Sequence, residues 1–357
     1  MDDTGHWSPR CELPDTLVRP SRIDPSGLTG PTRGQAQGGR WRVTTHGWYV
    51  PSHVGSSCVE QRILEQGMRV RTRGAVTGWA SLRWRGATYF DGWADGRGGQ
   101  LPIPLLRRAG GRRLLAERAE VSRRQLPPYD REFVRGLWCT TRDRAVFDEV
   151  HRLRSLRPAV TALCMSLAAG LTTLSSLRGY AERRVAWEAI PLFRDVLTFG
   201  NERFRSPPEV AMHLCWRLDA LLPEPLVNPP VFDLDGRFVG IPDLLDPVAG
   251  VVGEYAGAVH RGRERHRQDV VREERFRDVG LEPFTVVAGD LADLPLVVGR
   301  MRSTRGRARF LAAEERKWTL TPPPWWSPPS WLSPRYLDAQ IISSAPGGMI
   351  SASNYPP

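Results

Sequence analysis

An α/β fold is the expectation for this 357-residue chain, and three features of the sequence lead to it. Between Ser206 and Asp290 the apolar pattern runs helix, strand, strand, strand, helix, strand. Over about 41–150, short alternating or apolar runs are punctuated by glycine, which reads as a mixed α+β region. Between the two, over 151–203, apolar residues recur at helical spacing, which reads as a helical connector. At this length two domains are the default, and 41% apolar residues suffice for ordinary cores.

Taken in order, 1–40 is rich in Gly, Pro, Ser and Arg without periodicity and predicts a disordered leader, or alternatively an arm gripping nucleic acid. The run 41–50 predicts a strand pair around Gly47, and 58–66 a short helix ended by Gly67. Strand alternation with a basic face follows over 68–74, then a helix over 75–86 carrying Trp79, Leu82 and Trp84. Extended segments are expected at 101–106 and 137–141, and helices at 143–154, 158–169, 174–182 and 187–198. Ser206, Pro207 and Glu209 open an amphipathic helix. Beyond 292 the chain reads as a flexible Pro/Trp-rich tail, with an extended polyproline run before Trp325 and Trp326.

The formal charge of +11 and pI near 10.1 point to a polyanionic partner such as nucleic acid. A compositional reading competes, because Lys317 is the only lysine and arginine carries nearly all the charge. Cys11, Cys58, Cys139, Cys164 and Cys215 are far apart, which argues against a zinc site or a disulfide framework and for a reducing cytoplasm. The N-terminus has no apolar signal run, and 159–174 is interrupted and too short to span a bilayer, so no membrane partner is expected.

Chemistry concentrates between 206 and 290. Asp243 follows Pro242, which restrains the backbone before it, and 237–241 is expected to deliver it as a strand end. Glu254, eleven positions later, closes the apolar run 251–253. Carboxylates at neighbouring strand ends can hold a hard divalent cation, Mg2+ or Mn2+, able to activate water and neutralise a phosphodiester. The competing readings are a Pro-Asp turn for Asp243 and a surface strand end for Glu254. Glu209 is equally explained by a capping box with Ser206. His260 reads as an assistant to the water or as a structural residue. Arg261, Arg263, Arg265, Arg272 and Arg275 lie on a charged helix suited to phosphate contact, although Asp269 and Arg272 are also spaced to pair along one face.

Over 204–292 the residues Glu209, Pro242-Asp243, Glu254, Gly257, His260, His266, Asp269 and Arg272 resemble the very-short-patch-repair-like endonuclease branch of the PD-(D/E)XK superfamily. The resemblance implies a restriction-endonuclease-like αβββαβ core and magnesium-dependent DNA cleavage. It implies Asp243 and Glu254 as metal ligands, with Glu209 and His260 in the catalytic set. Ala256 departs from the pattern, which has Asp at this place and Lys in the wider superfamily. Over 41–150, the runs 47–50, 73–82 and 140–148 resemble the antitoxin-like domain of type IV abortive-infection (AbiEi-like) systems, which implies DNA binding and a cognate toxin protein. The leading expectation is a DNA endonuclease. The alternatives are a catalytically inactive nuclease fold retained for DNA binding, and an antitoxin-like transcriptional regulator.

Overall fold

The computed structural model describes residues 8–70, 74–94, 99–107, 118–184, 186–257 and 263–329, and for 263–270 the backbone only. The chain is α/β and divides into two compact units, Met1–Ser206 and Pro207–Pro357. Among the described residues no helix is long and apolar enough to cross a membrane.

In the N-terminal unit a short helix α1 (Arg33–Gln37) precedes the hairpin β1 (Trp41–Thr45) and β2 (Trp48–Pro51). Helix α2 (Val59–Gly67), strand β3 (Gly74–Val76), helix α3 (Gly78–Trp84) and strands β4 (Ile103–Arg107), β5 (Ala119–Ser122), β6 (Arg131–Val134) and β7 (Leu137–Thr140) follow. The last five strands form one sheet in the order β5-β4-β3-β7-β6. Four helices complete the unit: α4 (Arg142–Leu153), α5 (Leu156–Ala168), α6 (Leu174–Glu182) and α7 (Ile190–Thr198). Its largest buried side chains include Trp79, Trp84, Phe147 and Phe193.

Several expectations need correction here. The leader is not loose over 8–40. Arg10 Nη1 donates to Ala169 O at 2.9 Å, Ser21 and Tyr49 exchange backbone bonds of 2.9 Å, and Thr32 and Gln35 form a reciprocal cap on α1. Backbone and arginine hydrogen bonds hold this segment, so hydrophobic periodicity could not reveal it. The helix expected over 75–86 is a buried strand and then a helix. Thr77 extends the chain as the N-cap, and Gly78 turns it at φ +50 as the first residue of α3. The 151–203 helices are no separate connector, since α4, α5, α6 and α7 pack on one another within this unit. Of the strand expected over 68–74, 68–70 instead form a turn at the end of α2, 71–73 lie outside the described residues, and β3 begins only at Gly74.

The C-terminal unit opens on α8 (Pro207–Leu214), continued by a π-helical turn, Cys215–Asp219. Strands β8 (Leu226–Val227), β9 (Val231–Asp233), β10 (Phe238–Gly240), β11 (Leu244–Asp246) and β12 (Val251–Ala256) come next. Helix α9 (Arg263–Asp278) then crosses to β13 (Glu282–Val287), which lies parallel to β12. Helix α10 (Leu294–Arg307) and strand β14 (Trp318–Thr319) finish the described chain. The main sheet has the order β13-β12-β11-β8, with β11 antiparallel to both β8 and β12. A second sheet, β10-β9-β14, joins the hairpin to the end of the described chain.

Leu245, Val252, Phe276, Val279, Leu281 and Trp318 share one buried cluster. On the opposite side of β12 the Trp216 and Phe284 rings stack at 5.9 Å. Gly253 lets Phe284 approach, because a Cβ there would stand 2.4 Å from the ring. Gly253→Ala is therefore expected to destabilise this unit by about 1–3 kcal/mol through overpacking, read as a lower midpoint in urea unfolding.

The segment after 292 is also more than a tail. Asp293 accepts from Leu296 N–H at the start of α10, Pro295 occupies its first turn, and Arg305 on that helix pairs with the buried Asp246 at 2.9 Å. Farther on, Trp318 joins the core and Trp326 packs edge-on against Phe232 at 5.3 Å. The tail beyond 329 lies outside the described residues.

Candidate active site

Asp243 is not the end of the strand 237–241. That segment is β10, which belongs to the other sheet, and Asp243 stands immediately before β11. The antiparallel register pairs Leu244 with Gly253, so Asp243 lies opposite Glu254 one step beyond that pair. Glu254 is the fourth residue of the six-residue β12, within the strand rather than at its end. Two carboxylates from distant positions are thus brought side by side by ladder geometry.

The Asp243 carboxyl points inward, and its Oδ2 accepts the Tyr255 backbone N–H at 2.7 Å. Glu209, in the first turn of α8, is buried and accepts from Asn228 Nδ2 at 2.9 Å. Asn228 also donates its backbone N–H to Asp243 O at 3.1 Å, at φ +47. One buried asparagine therefore fastens two of the three acidic residues. Sequence reasoning passed over it. Its signal was an Asn before Pro229-Pro230, which reads as a turn, and asparagine tolerates the left-handed conformation better than most residues.

Burial, and then the Glu209 charge, push the Asp243 carboxyl well above its ordinary value of 3.8, and Glu254 adds to the rise. The Tyr255 N–H and the Arg272 guanidinium pull in the other direction. Because the folded value is raised, this group's favourable contribution is full at pH below the ordinary value and is lost as pH climbs through the raised one. In chelator, Asp243→Asn is accordingly expected to raise the thermal midpoint of this unit at neutral pH. That gain should disappear on acidification toward the ordinary carboxylate range. Equal midpoints for parent and variant at neutral pH would contradict this placement of Asp243.

Arg272 corrects a second expectation. Instead of turning outward to phosphate, it points to the sheet: Nη2 lies 2.7 Å from Glu254 Oε1 and also donates to Ile241 O. Its guanidinium stands 6.0 Å from the Phe276 ring centre. The partner of Arg272 seen here is Glu254, while the Asp269 side chain lies outside the described ones. Arg275, on the same helix, is exposed. His260 and Arg261 lie outside the described residues, and of Arg263 and Arg265 only the helical backbone is described.

The cluster is acidic, half-enclosed and compensated by one guanidinium. Among the described residues no group of three or more His, Cys, Asp or Glu side chains is gathered closely enough to hold a metal ion unaided. Ala256 lies two residues beyond Glu254, and strand alternation puts it on the same face of β12, where it offers no oxygen. No family model matches the chain, and no curated protein or solved structure matches it significantly.

Proposed function

We propose that the C-terminal unit is a magnesium- or manganese-dependent DNA endonuclease acting through the acidic cluster at the start of β11 and the middle of β12. The observation that carries this reading is the convergence of Asp243 and Glu254 across one antiparallel register, with Glu209 close enough to raise Asp243 further. The strand order β13-β12-β11-β8, with a helix before the sheet and a crossover helix between its parallel strands, agrees with a restriction-endonuclease-like αβββαβ core.

The donor set fits a hard cation. Magnesium is commonly held by one or two carboxylates, with waters and substrate phosphate completing its shell, so a closed protein cage is not needed. A carboxyl held above its usual range by burial and by neighbouring carboxylates is also one that a cation would return to the charged form. Asp243 and Glu254 would be the ligands, and the bound cation would neutralise phosphate charge and make a water more acidic. Asn228 holds Glu209 in place beside them. Arg272 orients Glu254, and the exposed Arg275 on α9 is available to the DNA backbone.

A second reading, a nuclease fold that binds DNA without cutting it, is favoured by Ala256 and by the Arg272–Glu254 ion pair, which already compensates one carboxylate. Supercoiled plasmid incubated with magnesium or manganese separates the two. Cleavage by the parent, lost in an Asp243→Ala/Glu254→Ala double variant, supports the endonuclease. Salt-sensitive DNA binding by folded parent protein without cleavage sinks it in favour of the second reading.

A further inference from the structure

The hairpin formed by β6 and β7 in the N-terminal unit presents an aromatic and basic surface that the acidic cluster does not use. Strand β6 is at the edge of its sheet. Its alternation sends Glu132 to the buried Arg85 at 2.5 Å and puts Arg131 and Phe133 on the opposite face. On that face Phe133 is paired across the hairpin with Trp138, their rings 5.5 Å apart edge to face, and the Arg131 guanidinium covers Trp138 at 4.7 Å. Phe133 is 60% exposed, and Tyr129, just before the strand, is 73% exposed.

The turn adds two more cations. Arg135 and Gly136 form a two-residue connection with φ +46 and +88, the geometry of a mirror-image turn that favours Asn-Gly or Gly-Gly. An arginine in this conformation is strained by roughly 1–2 kcal/mol, and it is exposed at the hairpin tip. The ordered N-terminal segment brings Arg19 to the same place, its Nη1 lying 3.3 Å from where a Cβ on Gly136 would be. The acid on this strand, Glu132, faces away and is paired.

We propose that this outer hairpin face binds single-stranded nucleic acid. Phe133, backed by Trp138, stacks an unpaired base, and Arg19, Arg131 and Arg135 meet the phosphates. An exposed ring flanked by guanidiniums fits a chain that alternates flat apolar bases with negative charge. Duplex DNA offers the charge but keeps its bases stacked internally. The inference is independent of the acidic cluster in the other unit.

Fluorescence anisotropy of a labelled oligothymidylate with the full chain in chelator tests it. The parent should bind, more weakly as salt rises, and Phe133→Ala should weaken binding about tenfold while Phe133→Trp retains it. Arg135→Ala should lower the salt slope by about 0.7, as expected for one lost phosphate contact on a single strand. A duplex should be insensitive to Phe133→Ala. No binding by the parent overturns the proposal, as does parent-like affinity in both Phe133→Ala and Arg135→Ala. Equal losses on duplex and single strand also overturn it.

Discussion

Replacing Asp130 by alanine is expected to destabilise the N-terminal unit by about 3–5 kcal/mol, because it removes the counter-charge seen at the buried Arg184 and one of the two carboxylates at Arg144. Asp130 is 2% exposed and bridges Arg144 at 3.1 Å and Arg184 at 2.5 Å. Arg144, itself fully buried, continues to Asp148 at 2.9 Å, and Asp148 accepts from Thr77 at the start of α3. The rings of Trp187 and Tyr180 enclose the two arginines, at 4.6 Å from Arg144 and 3.9 Å from Arg184 respectively. Against a typical domain stability of about 5–15 kcal/mol, such a loss removes a large share. Urea unfolding followed by tryptophan fluorescence measures it, and a loss below about 1 kcal/mol, the range of an exposed pair, would contradict the network's role. Exchanging the whole set for apolar residues of similar volume should cost far less, since an intact buried pair is not itself strongly stabilising.

The second large effect is expected at Ala256. Strand alternation puts this position on the Glu254 face, so Ala256→Asp would add an oxygen next to the two carboxylates. On the proposed endonuclease reading, adding one such electrostatic group is expected to raise the cleavage rate about a hundredfold, the usual order for a single charge-stabilising residue. Plasmid nicking rates under saturating magnesium measure it. Cleavage appearing only in Ala256→Asp would assign the parent to the non-cleaving reading. An unchanged rate in an active parent would show that the alanine is tolerated.

The sequence revealed the acidic cluster better than its surroundings. Asp243 and Glu254 were legible because a short turn between antiparallel strands turns a fixed separation into adjacency. Their supports were not, since neither spacing nor residue type says that Asn228 donates to Glu209 or that Arg272 reaches the sheet. An arginine among many arginines on one helix looks like a solvated or phosphate-facing side chain, and only the crossover packing of α9 distinguishes it. In the fold, elements with a clear period were found, including the 41–50 hairpin and the helices over 143–198. The elements missed had other signals. Asp293 with Pro295 is a helix start carried by residue type rather than by apolar periodicity, and 8–40 is secured by hydrogen bonds that leave no apolar pattern.

The acidic cluster as a cation site is the central claim, and thermal unfolding in chelator followed by titration of magnesium, manganese or calcium tests it without reference to activity. A cation that binds the folded state stabilises it by about 2.7 kcal/mol at a hundred times its dissociation constant. The account predicts a midpoint for the C-terminal unit that rises with cation in the parent and stays flat in an Asp243→Asn/Glu254→Gln double variant. A parent midpoint indifferent to all three cations, or a double variant that responds as the parent does, would contradict it.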